Sequence, residues 1–280
     1  MALGIEIFGR SDIGRVREAN EDNFLCLDLF AEATPPPAWP WLLAVADGIG
    51  GHAGGALASA LAVRTLKEEV LAMLQGEPAS NPETVLERAF QQANRKVFET
   101  AAGLPNSAGM GTTLVALLAG PERAVVSNVG DSRAYLFRDG ALYQITKDHS
   151  WASEQRKMNI LTPREIEQSP FRTLVTRSLG YESDVKVDSF IVELEPGDDL
   201  FLCTDGLYGP VPEKKICRVF KKAKSSLSIC TDLVNLANKN GGPDNITAVV
   251  GRLRAGGKTP HVPLNGTLMI KPPKSKESRR

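Results

Sequence analysis

Val45-Ala46-Asp47-Gly48-Ile49-Gly50-Gly51-His52-Ala53-Gly54-Gly55 runs from an apolar segment through a single acid into a chain of glycines. Three readings compete for it. The glycines could cradle a phosphate, the acid could sit at a strand end and hold a metal, or the stretch could be only a turn. The choice among them decides the fold, because each requires different elements on either side.

Upstream, Trp41–Asp47 is a short apolar run ending in an acid, which predicts a buried strand. Downstream, Leu57, Leu61, Leu66, Val70 and Leu74 recur at helical spacing and predict a long helix to about Leu74. Asn81-Pro82 is an N-cap followed by proline at the first helical position. The helix it opens carries Val85, Leu86, Ala89, Phe90, Ala93 and Val97 on one face and should stop at Gly103. Strand followed by helix followed by helix closes no βαβ unit. Gly48-x-Gly50-x-x-Ala53 formally fits a dinucleotide fingerprint, but Asp47 would face the pyrophosphate and no second strand supplies a ribose-binding acid. A P-loop is excluded because no Gly-Lys-Ser/Thr follows.

Elsewhere strands come in blocks. Ile5–Gly9 and Glu21–Phe30 predict two strands before a proline-rich loop, Ala31–Pro40. Three β-rich runs follow between Gly111 and Thr146, with a hairpin signal at Asp139-Gly140. Thr162-Pro163-Arg164-Glu165 is a capping box for a short helix. Lys186–Gly206 predicts two strands joined by a Pro-Gly-Asp turn. Helices are expected near Glu213–Lys222 and Leu227–Asn240, and a last strand at Asn245–Leu253. Blocks of this kind indicate α+β with mostly antiparallel sheet.

Composition narrows the function. Among 280 residues, Lys+Arg and Asp+Glu are 33 each, so no global charge points to nucleic acid or an anionic membrane. Asp47, His52 and the glycines make Trp41–Val63 a poor membrane span, and the N-terminus has no signal-peptide pattern; a cytoplasmic protein is expected. Cys26, Cys203, Cys217 and Cys230 show no C-x-x-C spacing and are read as free thiols. From about Ala255 the chain turns polar, with six Lys/Arg and one Glu, and is expected to be a solvated, disordered tail.

The acids repeat one design. Asp47, Asp131 and Asp205 each end an apolar run beside glycine, while Asp244 and the Glu21-Asp22 pair each precede a strand. Any one of them can be a turn marker. Five such places together suggest carboxylates gathered at one sheet edge, where their repulsion calls for a cation. Oxygen ligands without clustered His or Cys favour Mg²⁺ or Mn²⁺, and Gly48 would let a backbone carbonyl approach the same ion.

With these residues in view, the chain resembles the PP2C (PPM) metal-dependent protein serine/threonine phosphatases of the bacterial type. The resemblance rests on SDIGRVREANEDN, VADGIGGHAGG, GMGTTL, SNVGDSRAYLFRDG, ITKDHS, LFLCTDGL and GGPDNITAVV in that order, over roughly Ile5–Leu253. It implies a four-layer αββα sandwich, a catalytic domain over residues 1–254 with the tail at 255–280, and a metal cleft at one end holding two Mn²⁺ or Mg²⁺ and a third, weaker ion. By the same resemblance Asp47 bridges the pair, the Gly48 carbonyl, Asp205 and Asp244 are direct ligands, and Glu21 and Asp22 act through metal-bound water. Asp131 belongs to the third ion, Arg17 grips the substrate phosphate, and Asn245 supports a ligand.

Two such ions can form a bridging hydroxide near neutral pH that attacks phosphorus in line. No phosphoenzyme is required, and no C-x₅-R signature offers a cysteine nucleophile. His52 either protonates the leaving oxygen or only caps the following helix. His149, in ITKDHS, is read as supporting the fold. Ala56 where the family's bacterial members usually have Glu, SPFRT at 169–173 and LYGPVPEKK at 207–215 depart from the family and bear on substrate choice, as does Trp151–Phe171, which resembles its mobile flap. The implied substrates are phosphorylated proteins made by a cognate kinase. A phosphohydrolase for a small molecule or one regulator protein, and a silent binding module, are the rival functions; the retained Arg17 and acid cluster argue against silence.

Overall fold

The computed structural model describes residues 3–29, 38–50, 53–77, 80–104 and 109–255. His52, most of the proline-rich loop and the tail from 256 lie outside them. The strands are β1 (Leu3–Asp12), β2 (Asn23–Asp28), β3 (Trp41–Ala46), β4 (Gly48–Ile49), β5 (Gly111–Thr112), β6 (Leu114–Ala119), β7 (Arg123–Val129), β8 (Arg133–Arg138), β9 (Ala141–Gln144), β10 (Asp188–Glu193), β11 (Asp199–Cys203) and β12 (Ile246–Ala255). The helices are α1 (Ala53–Gly76), α2 (Pro82–Gly103), α3 (Trp151–Met158), α4 (Pro163–Gln168), α5 (Asp205–Tyr208), α6 (Glu213–Lys222) and α7 (Ser226–Lys239).

Two antiparallel five-stranded sheets, β1-β12-β11-β8-β9 and β10-β7-β6-β3-β2, lie face to face, and β4 pairs with β5 as a short ribbon. Side-chain alternation along each strand builds the layers. In β3, Trp41, Leu43 and Val45 point between the sheets, while Leu42, Ala44 and Ala46 point outward against α1 and α2. In β11, Leu200 and Leu202 point inward, while Phe201 and Cys203 meet the layer of α6 and α7. A strand covered on both faces has no polar side, and that is why WLLAVA reads as one unbroken apolar run. The architecture is the expected four-layer αββα sandwich, and the three apolar clusters are its three interlayer cores.

Several boundaries differ from expectation for identifiable reasons. β1 runs on through Gly9-Arg10-Ser11-Asp12, a polar end with no periodicity, because β12 pairs with all ten of its residues. β10 and β11 follow one another in sequence but belong to different sheets, so the Pro196-Gly197-Asp198 turn crosses the sandwich. Helix α3 buries only Ala152 and so leaves no stripe to read. The capping boxes of α4, at Thr162 and Glu165, and of α7, at Ser225 and Ser228, are both formed.

Candidate active site

Strand register brings the acids together. Asn23 pairs with Ala46, so Asp22 and Asp47 lie side by side at one end of their sheet, next to the start of β6 and the end of β7. Cys203 pairs with both Ala248 and Arg133, so Asp205, the Asp244-Asn245 pair and Asp131 gather at the same end of the facing sheet. Four acids reach this end from strand ends and Asp131 from the β7–β8 turn.

Each is held differently. Asp22 is fully buried, and its Oδ2 accepts hydrogen bonds from Thr204 Oγ1 at 2.9 Å and Thr247 Oγ1 at 2.6 Å. Asp47 is half-buried; its amide donates to Thr113 Oγ1 at 2.9 Å, and its carbonyl accepts from Thr112 Oγ1 and the Thr113 amide. Asn245 is a three-bond staple: its Oδ1 accepts from the Glu21 amide at 2.8 Å, and its Nδ2 donates to the carbonyls of Ile13 and Ala19 at 2.9 Å. It therefore ties the segment carrying Arg17, Glu21 and Asp22 to the strand that follows Asp244. Arg17 Nη2 meets Asp244 Oδ2 at 2.7 Å, with the Arg17 side chain more than half exposed at 53%. An ion pair so open to water contributes about 0–1 kcal/mol, so a phosphate could take the guanidinium over at small cost.

Electrostatics sets this cleft apart. Burial raises the Asp47 carboxyl well above the usual range, and Asp22, Asp205, Asp131 and Asp244 add to the rise. Asp131 is pushed up to about 8 by burial and then by Asp205 and Asp148. Asp22 reaches about 7 because burial outweighs its two threonine hydrogen bonds. Burial and Asp244 raise Asp205, and Asp47 and the Gly206 amide only partly offset the rise. Asp22 Oδ1 and Asp205 Oδ1 are buried without a hydrogen-bond partner. Unpaired carboxylate oxygens among like charges repel anions and suit a hard cation. Among the described residues, no three Asp, Glu, His or Cys side chains already form a finished metal shell.

Two glycines of the opening stretch, Gly48 and Gly55, serve close packing, while Gly50 takes a φ of +125°. A Cβ on Gly48 would lie 2.3 Å from the Gly55 carbonyl oxygen and 2.8 Å from that of Glu21. One on Gly55 would lie 2.7 Å from Glu21 Oε2. His52, the expected proton donor, lies outside the described residues. The threonines escaped sequence reasoning, although a hydroxyl directly before Asp205 in CTDG and one directly before β6 in GTT were visible signals. Replacing Thr247 by Val should keep the packing but strip one of two donors from a buried carboxylate. Urea unfolding should show a loss of about 1–2 kcal/mol.

A cavity of about 400 Å³ lined by Trp39, Asn81, Arg123 and Ile191 opens at the opposite end of the sandwich, by the starts of β3 and β7. It carries Glu83 as its one acid and takes no part in the cleft.

Comparison with known proteins agrees with this geometry. The Protein phosphatase 2C family pattern matches residues 17–250. The serine/threonine phosphatase Stp of Listeria innocua is 37% identical over 245 residues, 86% of this chain and 93% of its own. The serine/threonine protein phosphatase PstP of Mycobacterium tuberculosis is 36% identical over 89% of this chain and 45% of its own. A solved PstP catalytic domain, in complex with two manganese ions, superposes with a TM-score of 0.76 at 34% identity, covering 91% of this chain and all of that one. With the family pattern covering residues 17–250, and so Arg17 and every acid of the cleft, this protein belongs to the protein phosphatase 2C family.

Proposed function

We propose that the chain is a metal-dependent protein phosphatase that hydrolyses phosphoserine and phosphothreonine. The observation that carries this reading is the meeting of Asp22, Asp47, Asp131, Asp205 and Asp244 at one end of the sandwich, with the half-exposed Arg17 beside them. Two Mn²⁺ or Mg²⁺ held by these acids would supply water activated for phosphate hydrolysis and offset the negative charge of the phosphate.

The chain's own residues do the rest. Asp47, central among the acids, would bridge the ions, with Asp205, Asp244 and the Gly48 carbonyl as the other direct ligands. Glu21 and Asp22 would act through water, and Asp131 would serve a third ion. Asn245 would keep the Arg17–Asp22 segment in register with Asp244. Arg17 would leave Asp244 for two phosphate oxygens, which its planar fork fits. His52 would give the leaving oxygen its proton. The substrates would be products of a cognate serine/threonine kinase in the cytoplasm. Among the described residues, no helix is long and apolar enough to cross a membrane.

The test is turnover of a phosphothreonine peptide by purified protein with Mn²⁺, with EDTA, and with Asp205→Asn. Activity should appear only for the wild type with Mn²⁺, and the variant should lose about 10²-fold or more. Equal turnover in EDTA would refute metal dependence. Activity on small phosphates alone would transfer the reading to a small-molecule phosphohydrolase, and metal binding without any turnover would favour a binding module.

A further inference from the structure

The turn that carries Asp131 is bolted to one histidine. Gly130 has φ +108°, and a Cβ there would lie 2.6 Å from Thr113 Cβ, so the position needs glycine. The Gly130 amide donates to His149 Nδ1 at 3.0 Å. The Gly130 carbonyl accepts from the His149 amide at 3.0 Å and from Asn128 Nδ2 at 3.1 Å. These bonds fix the two peptide planes flanking Gly130, and the only soft dihedrals between those planes are its φ and ψ. Those two angles aim the next residue, Asp131.

The imidazole itself is fixed from behind. A ring nitrogen that accepts a hydrogen bond carries no proton, so the proton of the neutral ring sits on Nε2. Nε2 faces Asp188 Oδ2 at 3.3 Å. Arg177 Nη1 donates to Asp188 Oδ1 at 2.9 Å and to the Lys186 carbonyl at 3.2 Å, so its approach to within 2.9 Å of Nε2 is a packing contact and not a hydrogen bond to the protonated nitrogen. Burial and the Arg177 charge hold the ring below its ordinary range, while Asp188 and Asp148 pull the other way. A second proton would turn Nδ1 into a donor facing the donor of Gly130. The neighbouring residues of the same segment grip the same turn: the Lys147 carbonyl accepts from Asn128 Nδ2, and Asp148 takes a bidentate pair from Arg133.

We propose that His149 is a positioning residue for the Asp131 carboxylate, acting by locking Gly130 through its unprotonated Nδ1. The inference rests on the reading of Asp131 as a ligand of the weaker ion, and it assigns to the ITKDHS histidine a role beyond support of the fold.

Three substitutions separate the two faces of the ring. In His149→Asn the amide oxygen stands where Nδ1 was and can still accept from Gly130, while the Asp188 contact is lost. His149→Gln reaches the Asp188 side but offers Gly130 no acceptor, and His149→Leu removes both. The first readout needs no metal: ¹⁵N spectra should show Nδ1 unprotonated in the wild type. The Gly130 amide should resist hydrogen exchange in the wild type and His149→Asn, and exchange at least about tenfold faster in His149→Gln and His149→Leu. The second readout is calorimetric Mn²⁺ titration. The weaker binding step should weaken about 10–100-fold in His149→Gln and His149→Leu and about threefold or less in His149→Asn. A general loss of stability would affect all three variants alike and give no such split. Unchanged Gly130 exchange in His149→Leu, or equal Mn²⁺ affinity in the three variants, would overturn the proposal. A control, Asp131→Ala, isolates the underlying reading: if it leaves the weaker step intact, Asp131 is not its ligand, and the Gly130 exchange data still decide whether His149 holds the turn.

Discussion

Asp47→Asn should yield a protein that is more stable than the wild type in EDTA at about pH 8, and slower in Mn²⁺ by about 10³-fold or more. The stability gain follows from the field at the cleft. Burial and four other acids lift the Asp47 carboxyl, and Asp22 and Asp131 reach about 7 and about 8. In the unfolded chain all of them ionise near pH ~4. Between that value and the raised folded values, the native state holds more protons than the unfolded state, so the stability of the metal-free protein falls as pH rises. The contribution is fully present below about pH 4 and is progressively lost on the way to about pH 8. An asparagine carries no charge to desolvate or repel. It should add about 1 kcal/mol at the alkaline end, less at about pH 5, and flatten the pH slope. Mn²⁺ should then stabilise the wild type more than the variant, because a ligand raises stability according to its affinity for the native state alone. Thermal melts at the two pH values, with EDTA or Mn²⁺, measure all of this. A variant that melts below the wild type in EDTA at about pH 8 would show that the cluster is not under repulsive strain.

Elements whose apolar positions follow a period were legible in the sequence: β3 as an unbroken run, α2 by its stripe from Val85 to Val97 with its Asn81 cap, and α4 by its capping box. What hid was structure sustained by partners far along the chain. The polar end of β1 is a strand because β12 pairs with it, and the crossing at Pro196–Asp198 follows from sheet pairing that adjacent residues do not encode. The acids were legible as a set, since strand ends beside glycine stand out. Of their supports, Asn245 was expected from the family resemblance, but Thr204 and Thr247 were not: they act across sequence separations above 180 residues, and single hydroxyls carry no local pattern. Gly48 was read as admitting close approach to an ion; Gly48, Gly55 and Gly206 are all absent from the positive-φ positions and admit close approach of neighbouring chain.

Gly206→Ala should be the most damaging single-methyl change in the cleft. Gly206 lies in α5, a four-residue helix with ordinary backbone angles, so alanine would be favoured there on propensity alone. Space forbids it. An added Cβ would lie 1.9 Å from the Asn245 carbonyl oxygen, 2.9 Å from its carbon and 3.2 Å from Asp244 Cβ. Two of these are backbone atoms, and the start of β12 is fixed by the Asn245 staple and by Thr204 Oγ1 accepting from the Thr247 amide at 3.0 Å. Neither side can yield by rotating a side chain, so α5 and the Asp244-Asn245 segment must separate. Overpacking of this kind destabilises by about 1–3 kcal/mol or more. The separation also moves Asp205 away from Asp244, the pair on which the proposed ion binding depends, so activity should fall about 10²-fold even at temperatures where the variant remains folded. Gly103→Ala is the matched control: it ends α2 at an ordinary φ with nothing within 4 Å of the added carbon, and its melting temperature and turnover should equal or exceed those of the wild type. Thermal melts and phosphopeptide turnover of the two variants decide the point. If Gly206→Ala behaves like Gly103→Ala, the glycine after Asp205 is a turn marker after all, and the contact between α5 and β12 is not what sets the spacing of the two acids.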